Sequence, residues 1–141
     1  MKEGAKTLAA ALEGNNSLQV LDLSQCKLGV SGTVTIAQAL QKNKTLKHLN
    51  LYRNMVDVDG ARALRNLLKV NSTLEFLDVG YNRLREKGIR ALTDGIVENP
   101  TSNLRQIGIR FNFIKDDGFQ YLFDTAIFPE GKSKLTHVYL M

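Results

Sequence analysis

The sequence predicts an α/β solenoid, with parallel strands along one side and helices along the other. Three observations carry that reading. The chain repeats itself every 28 residues. Each copy opens on apolar residues at period two, and each closes on apolar residues four apart, as one face of a helix requires. Residues 46–73, LKHLNLYRNMVDVDGARALRNLLKVNST, show the unit at its clearest.

Taken in order, residues 1–17 hold Gly4, Leu8, Leu12, Asn15 and Ser17, matching Gly32, Ile36, Leu40, Asn43 and Thr45 one period on. The chain therefore opens on the helical half of a repeat. Whole repeats follow at 18–45, 46–73, 74–103 and 104–134. The third is lengthened through Pro100-Thr101-Ser102 and the fourth through Pro129-Glu130-Gly131, and residues 135–141 supply a last strand. At 141 residues and 43% hydrophobic, the chain suits a single domain with one continuous core. Neither end carries a polar cap, so the expectation is a piece of a longer repeat protein, or ends that self-associate.

Each column has a physical reading. Leu21/Leu23, Leu49/Leu51, Leu77/Val79, Ile107/Ile109 and Val138/Leu140 are the buried faces of five strands. Cys26, Asn54, Asn82 and Asn112 follow the strands, where a short amide bonds the backbone of its own turn and of the neighbouring one. Gly32, Gly60, Gly88 and Gly118 mark close helix approach or an unusual backbone angle. Ile36/Leu40, Leu64/Leu68, Leu92/Ile96 and Leu122/Ala126 form one helical stripe per repeat. Asn15, Asn43, Asn71 and Asn99 stand just past the helices, where a left-handed cap is expected. Phe119, Tyr121, Phe123 and Phe128 of the fourth repeat are read as packing that fills the volume left by Ala126, with an aromatic patch on the convex side facing a partner as the alternative.

The pattern LxxLxLxxNx(L/I/V)xxxGxxxLxxxL resembles the ribonuclease-inhibitor-type leucine-rich repeat, from about Gly4 to the end of the chain. The resemblance implies a horseshoe arc with the sheet on its concave face and the helices on its convex face. It also implies protein binding, the role of most members, among them ribonuclease inhibitor, NLR recognition regions and tropomodulin. RanGAP, which accelerates GTP hydrolysis on a small GTPase, supplies the alternative function. A spacer within a larger protein is a further one.

The outward ladders then define a candidate partner-binding face. His48, Phe76 and Asp78 lie along the strands, Tyr52 and Arg110 follow them, and Arg53, Tyr81 and Phe111 stand beside these at the strand ends. Tyr139 belongs to the last strand, and Met141 falls in the ladder of Tyr52 and Arg110. Tyr, Phe and Arg are the residue types that carry binding energy at interfaces. Arg83, Arg85, Lys87, Arg90 and Lys115 form a second, basic candidate patch at the strand-to-helix turns.

Other chemistries find less support. His48 and His137 share a column but stand three strands apart, about 14 Å by strand spacing, too far to share a metal. Asn50 separates Asp22 from Asp78, so no tight carboxylate pair is available for acid–base work. No phosphate loop, nucleophile elbow or zinc spacing occurs, and the reading is non-enzymatic, with no metal and no cofactor. A net charge of +5 is a mild bias towards acidic partners, too small and too scattered along the chain to argue for nucleic acid, which is not the expected partner. Cys26, the single cysteine, excludes an internal disulfide and fits a reducing, cytoplasmic setting. The chain has neither a signal-like leader nor an apolar run of membrane-spanning length. Three glycosylation-type triplets begin at Asn15, Asn43 and Asn71, where the turn already accounts for the residues.

Overall fold

The structure, a computed structural model, describes residues 2–128, 130 and 132–140. The expectations placed on Pro129, Gly131 and Met141 fall outside these. Five strands, β1 (Val20–Asp22), β2 (His48–Asn50), β3 (Phe76–Asp78), β4 (Gln106–Gly108) and β5 (His137–Tyr139), alternate with helices. The helices are α1 (Lys2–Gly14), α2 (Gly29–Lys42), α3 (Val58–Val70), α4 (Arg85–Val97) and α5 (Asp116–Leu122), the last running into a π-helical turn, Phe123–Ile127. All strands are parallel in sequential order, and Leu21, Leu49, Leu77, Ile107 and Val138 stand in one register. Helices pack on successive helices and strands on successive strands, giving two layers around one core. Among the described residues, no helix is long and apolar enough to cross a membrane.

Each strand is formally three residues long, yet its ladder continues past it. Leu51 N–H donates to Asp78 O at 2.7 Å and Arg53 N–H to Gly80 O at 2.9 Å, with Val79 and Tyr81 repeating this on Gly108 and Arg110. The paired apolar columns are buried in the middle strands. Leu21 and Val138 are half-buried because the outermost strands have a neighbour on one side only, and Leu140, expected in the core, is exposed.

The glycines at 32, 60, 88 and 118 serve close approach, since none has a positive φ. A Cβ on Gly118 would fall 2.7 Å from Ile114 Cγ2 and 2.9 Å from Ile89 Cγ2, and one on Gly60 2.8 Å from Val56 Cγ1. Helix-to-core distance is therefore set by the missing side chain.

Two asparagine ladders stitch the repeats together. In the first, Asn82 Nδ2 donates to Leu51 O, Val79 O and Gly80 O, while its Oδ1 accepts from Asn54 N–H and Val56 N–H, both at 2.9 Å. Asn54 and Asn112 do likewise, and among the described residues Cys26 reaches only Ser24 O. The second ladder corrects the left-handed cap expected at Asn43 and Asn71. Both are extended, at φ −73°, ψ 135° and φ −83°, ψ 128°. Their amides instead reach back to the preceding repeat. Asn43 donates to Leu12 O and Asn15 O, Asn71 to Leu40 O and Asn43 O, and Asn99 to Leu68 O and Asn71 O. Leu12, Leu40 and Leu68 sit in the last turns of α1, α2 and α3, where carbonyls lack an intrahelical donor. Each asparagine caps the previous repeat's helix, and needs no αL backbone to do so.

The fourth repeat departs from expectation in one residue. Phe119 packs against the core and Tyr121 donates to Asp94 at 2.6 Å. Phe128, expected to fill volume, is 70% exposed and touches Phe123. Phe128 comes two residues after buried Ala126, a spacing that puts it on the side of the helix away from the Leu122/Ala126 stripe.

Candidate functional site

The end of each strand carries a fixed sequence of turns. Asp22, Asn50 and Asp78 each accept, through Oδ1, the backbone N–H two residues on, at 2.8, 2.9 and 2.7 Å. This Asx turn stops the strand. In Asp22 the Ser24 backbone bond, aided by that residue's hydroxyl, holds the carboxyl below its usual range. One residue beyond the next ladder position the backbone goes left-handed, at Gln25, Arg53, Tyr81 and Phe111, with φ of 54–57°. It does so again at Lys27, Met55 and Phe113, with φ of 53–61°. Ordinary side chains avoid this region. Here it swings them out of the solenoid, along the edge where strands give way to helices.

Side by side, the turns of β2, β3 and β4 build a small grid. Arg53, Tyr81 and Phe111 form one row, and Met55, Arg83 and Phe113 the next. Tyr81 lies at the centre, with ring centroids 5.8 Å from both Tyr52 and Phe111. Arg53 sits over the Tyr81 ring at 5.1 Å and Arg110 over Tyr52 at 5.2 Å. Arg110 also reaches Asp78 Oδ2 at 3.4 Å. Two glycines make this layering possible. A Cβ on Gly108 would strike the Asp78 carboxylate at 2.7 Å, and one on Gly80 would lie 3.0 Å from Arg110 Cγ and 3.1 Å from Tyr52 Cδ2. The side chains of Tyr52, Asp78 and Arg110 occupy the room those glycines leave.

The grid lines a groove of about 550 Å³, formed by Arg53, Met55, Tyr81, Arg83, Phe111 and Phe113 above buried Asn82. Its apolar members are unusually open: Tyr81 is 48%, Phe111 64% and Phe113 73% exposed. Exposed large apolar groups in contact with one another are the informative exception on a protein surface.

The repeat architecture has a family counterpart. The sequence model described as Leucine Rich repeat matches residues 14–37, 42–64 and 70–92. The chain is a leucine-rich-repeat solenoid. Among solved structures it is similar to leiomodin-1 actin-binding site 2, with a TM-score of 0.84 at 17% identity over 94% of this chain and 76% of that one. It is also similar to the C-terminal domain of Caenorhabditis elegans tropomodulin, with a TM-score of 0.79 at 16% identity over 99% and 82%. At these identities the likeness is one of fold. No curated protein sequence matches the chain significantly.

Within the leucine-rich-repeat frame, the candidate residues separate into groups. Tyr52, Arg53, Asp78, Tyr81, Arg110 and Phe111 are joined by the contacts above, although buried Asp78 supports the layer from beneath. His48 and Phe76 form a separate pair at the strand starts, with centroids 5.8 Å apart. Tyr139 stacks on His137 and donates to Gln106 at 3.0 Å. The basic cluster divides. Arg83 joins the main groove, and Arg85 and Lys115 adjoin it beside Phe113. Arg90 turns to the helical side, 4.4 Å over the Tyr121 ring, and Lys87 is exposed on the same helix. Glu86 Oε1 accepts Lys115 N–H at 2.9 Å, and its carboxyl is lowered first by its own backbone N–H and then by that of Lys115. Met55 and Phe113 were not singled out by the ladder reading. Their shared column with Lys27 and Arg83 was the available signal.

Proposed function

We propose that this chain is a protein-recognition module whose binding surface spans the outward strand face and the adjoining turn edge. The observation that carries this is the joined cluster of Tyr52, Arg53, Tyr81, Arg110 and Phe111, exposed or half-buried and fixed on a hydrogen-bonded ladder. A preorganised aromatic and arginine surface loses little side-chain entropy on association. The ribonuclease-inhibitor type is the subclass we favour, on the 28-residue period and the full helices of 13–14 residues in the complete early repeats. The leiomodin-1 domain of similar fold is an actin-binding site, which makes actin the first partner to assay.

The test compares wild type with Tyr52→Ala/Tyr81→Ala/Arg110→Ala, each checked for native circular dichroism, as baits for purified actin and for cell extract. A protein held by wild type and lost by the folded triple variant supports the reading. Equal capture by both baits refutes the assignment of this surface.

A further inference from the structure

We infer that the groove between Arg53, Met55, Tyr81, Arg83, Phe111 and Phe113 takes an acidic protein segment, seating one large apolar side chain and pairing its flanking carboxylates with the arginines. This rests on the protein-recognition reading and adds the chemistry of the partner.

The groove is apolar within and cationic at its rim. Among the described residues, Arg53, Arg83 and Arg85 stand in no ion pair, although each is exposed. The nearby carboxylates are occupied. Asp57 accepts Asp59 N–H and Gly60 N–H as the cap of α3, Glu86 holds Lys115 N–H, and Asp78 holds Gly80 N–H and Arg110. The positive charge is thus left for a ligand, and the guanidinium fork suits a carboxylate. Met55 and Phe113 add an adaptable wall and a rigid one, the surroundings a Phe, Leu or Met anchor requires.

The same residues invite comparison with a single-stranded nucleic acid platform, which also mixes arginine with aromatic rings. The ring faces decide against it. Tyr81 is flanked by Tyr52 and Phe111 and covered by Arg53, and Tyr52 is covered by Arg110, which leaves open rings only at Phe111 and Phe113 on one turn and no stacking track across the three. An anchor side chain needs a gap between rings rather than a face, and the groove supplies one.

The experiment selects a displayed library of random dodecapeptides on the immobilised full chain, then measures the winners by fluorescence polarisation. The expected winners combine Asp or Glu with a large apolar residue and weaken as salt is raised. Their affinity falls about tenfold or more in Arg83→Glu and in Phe113→Ser, both surface changes whose folding is checked by circular dichroism. Lys44→Glu, an equal charge reversal at the opposite loop, leaves it unchanged. Winners without acidic residues, no winners, binding indifferent to both groove variants, or displacement by oligouridylate each overturn the inference. A partner lost by the Tyr52/Tyr81/Arg110 variant but kept by Arg83→Glu and Phe113→Ser overturns it while leaving the protein-recognition reading standing.

Discussion

The left-handed turns give the proposed binding surface a measurable cost. Met55, Tyr81, Phe111 and Phe113 hold φ of 61°, 54°, 54° and 56°, where a side chain crowds its own carbonyl by about 1–2 kcal/mol. Glycine escapes that crowding but loses about 0.5–1 kcal/mol more chain entropy on folding. Replacing all four residues by Ala and, separately, all four by Gly removes the same side-chain contacts, so the difference isolates the backbone. The Gly set is expected to be more stable by about 0.5–1 kcal/mol per site, or about 2–4 kcal/mol together if the sites add. Equilibrium urea unfolding reads this as a higher midpoint, provided both sets unfold in one transition with similar slopes. Both sets should lose partner capture alike. An Ala set as stable as the Gly set would show that these turns are not left-handed, and would remove the reason given for the outward swing of Phe113 and Tyr81.

Other expectations concern the scaffold. Asn82→Ala leaves Asn54 N–H and Val56 N–H without their acceptor, a loss of about 2–6 kcal/mol at about 1–3 per orphaned group, read from the urea midpoint. Leu51→Ala opens a cavity at a fully buried position and should cost about 2–5 kcal/mol in the same assay. Gly118→Ala forces Ile114 and Ile89 apart and should cost about 1–3 kcal/mol, visible as a lowered calorimetric Tm. Glu98 is held below its usual carboxyl range, first by Lys69 and then by Arg65. A lowered folded pKa stabilises above the unfolded value and is lost as pH falls through the folded one. Glu98→Gln should therefore flatten the acid limb of the Tm–pH curve below the ordinary glutamate range, and unchanged limbs in the two proteins would refute the coupling.

The sequence made the fold legible because solenoid physics repeats. A buried Leu, a glycine under a helix or an amide in a turn recurs one period later, so the columns at Leu49, Gly60 and Asn82 are visible without coordinates. Backbone angle was less visible. Asparagine is compatible with a left-handed cap and with an extended link, and only the partners of Asn43 and Asn71 distinguish the two. Conversely Arg, Tyr, Phe and Met advertise no left-handed preference, so the turns at Arg53, Met55, Tyr81 and Phe113 gave no local sign. Gly80 and Gly108 give no sign in the sequence of the space they leave for Tyr52, Asp78 and Arg110. The exposure of Phe128 was within reach of helical periodicity, since two residues past Ala126 a helix faces away from the Leu122/Ala126 stripe.

Comparison of the repeats with one another separates scaffold from surface. Where a side chain serves the fold, chemistry hardly changes along the solenoid: Leu, Leu and Ile at 49, 77 and 107, Asn at 54, 82 and 112, Gly at 60, 88 and 118. The two turn columns share much of their left-handed backbone but not their residues. One reads Gln25, Arg53, Tyr81, Phe111 and the other Lys27, Met55, Arg83, Phe113. The asparagine ladders already satisfy the buried polar groups around them, so neither column is asked for a specific side chain by the fold. Unneeded left-handed positions would be served most cheaply by glycine or asparagine. Large apolar and cationic residues there, strained by their backbone and gathered on three adjacent turns, are what the proposed recognition surface requires. The proposed binding surface therefore lies where the repeats disagree.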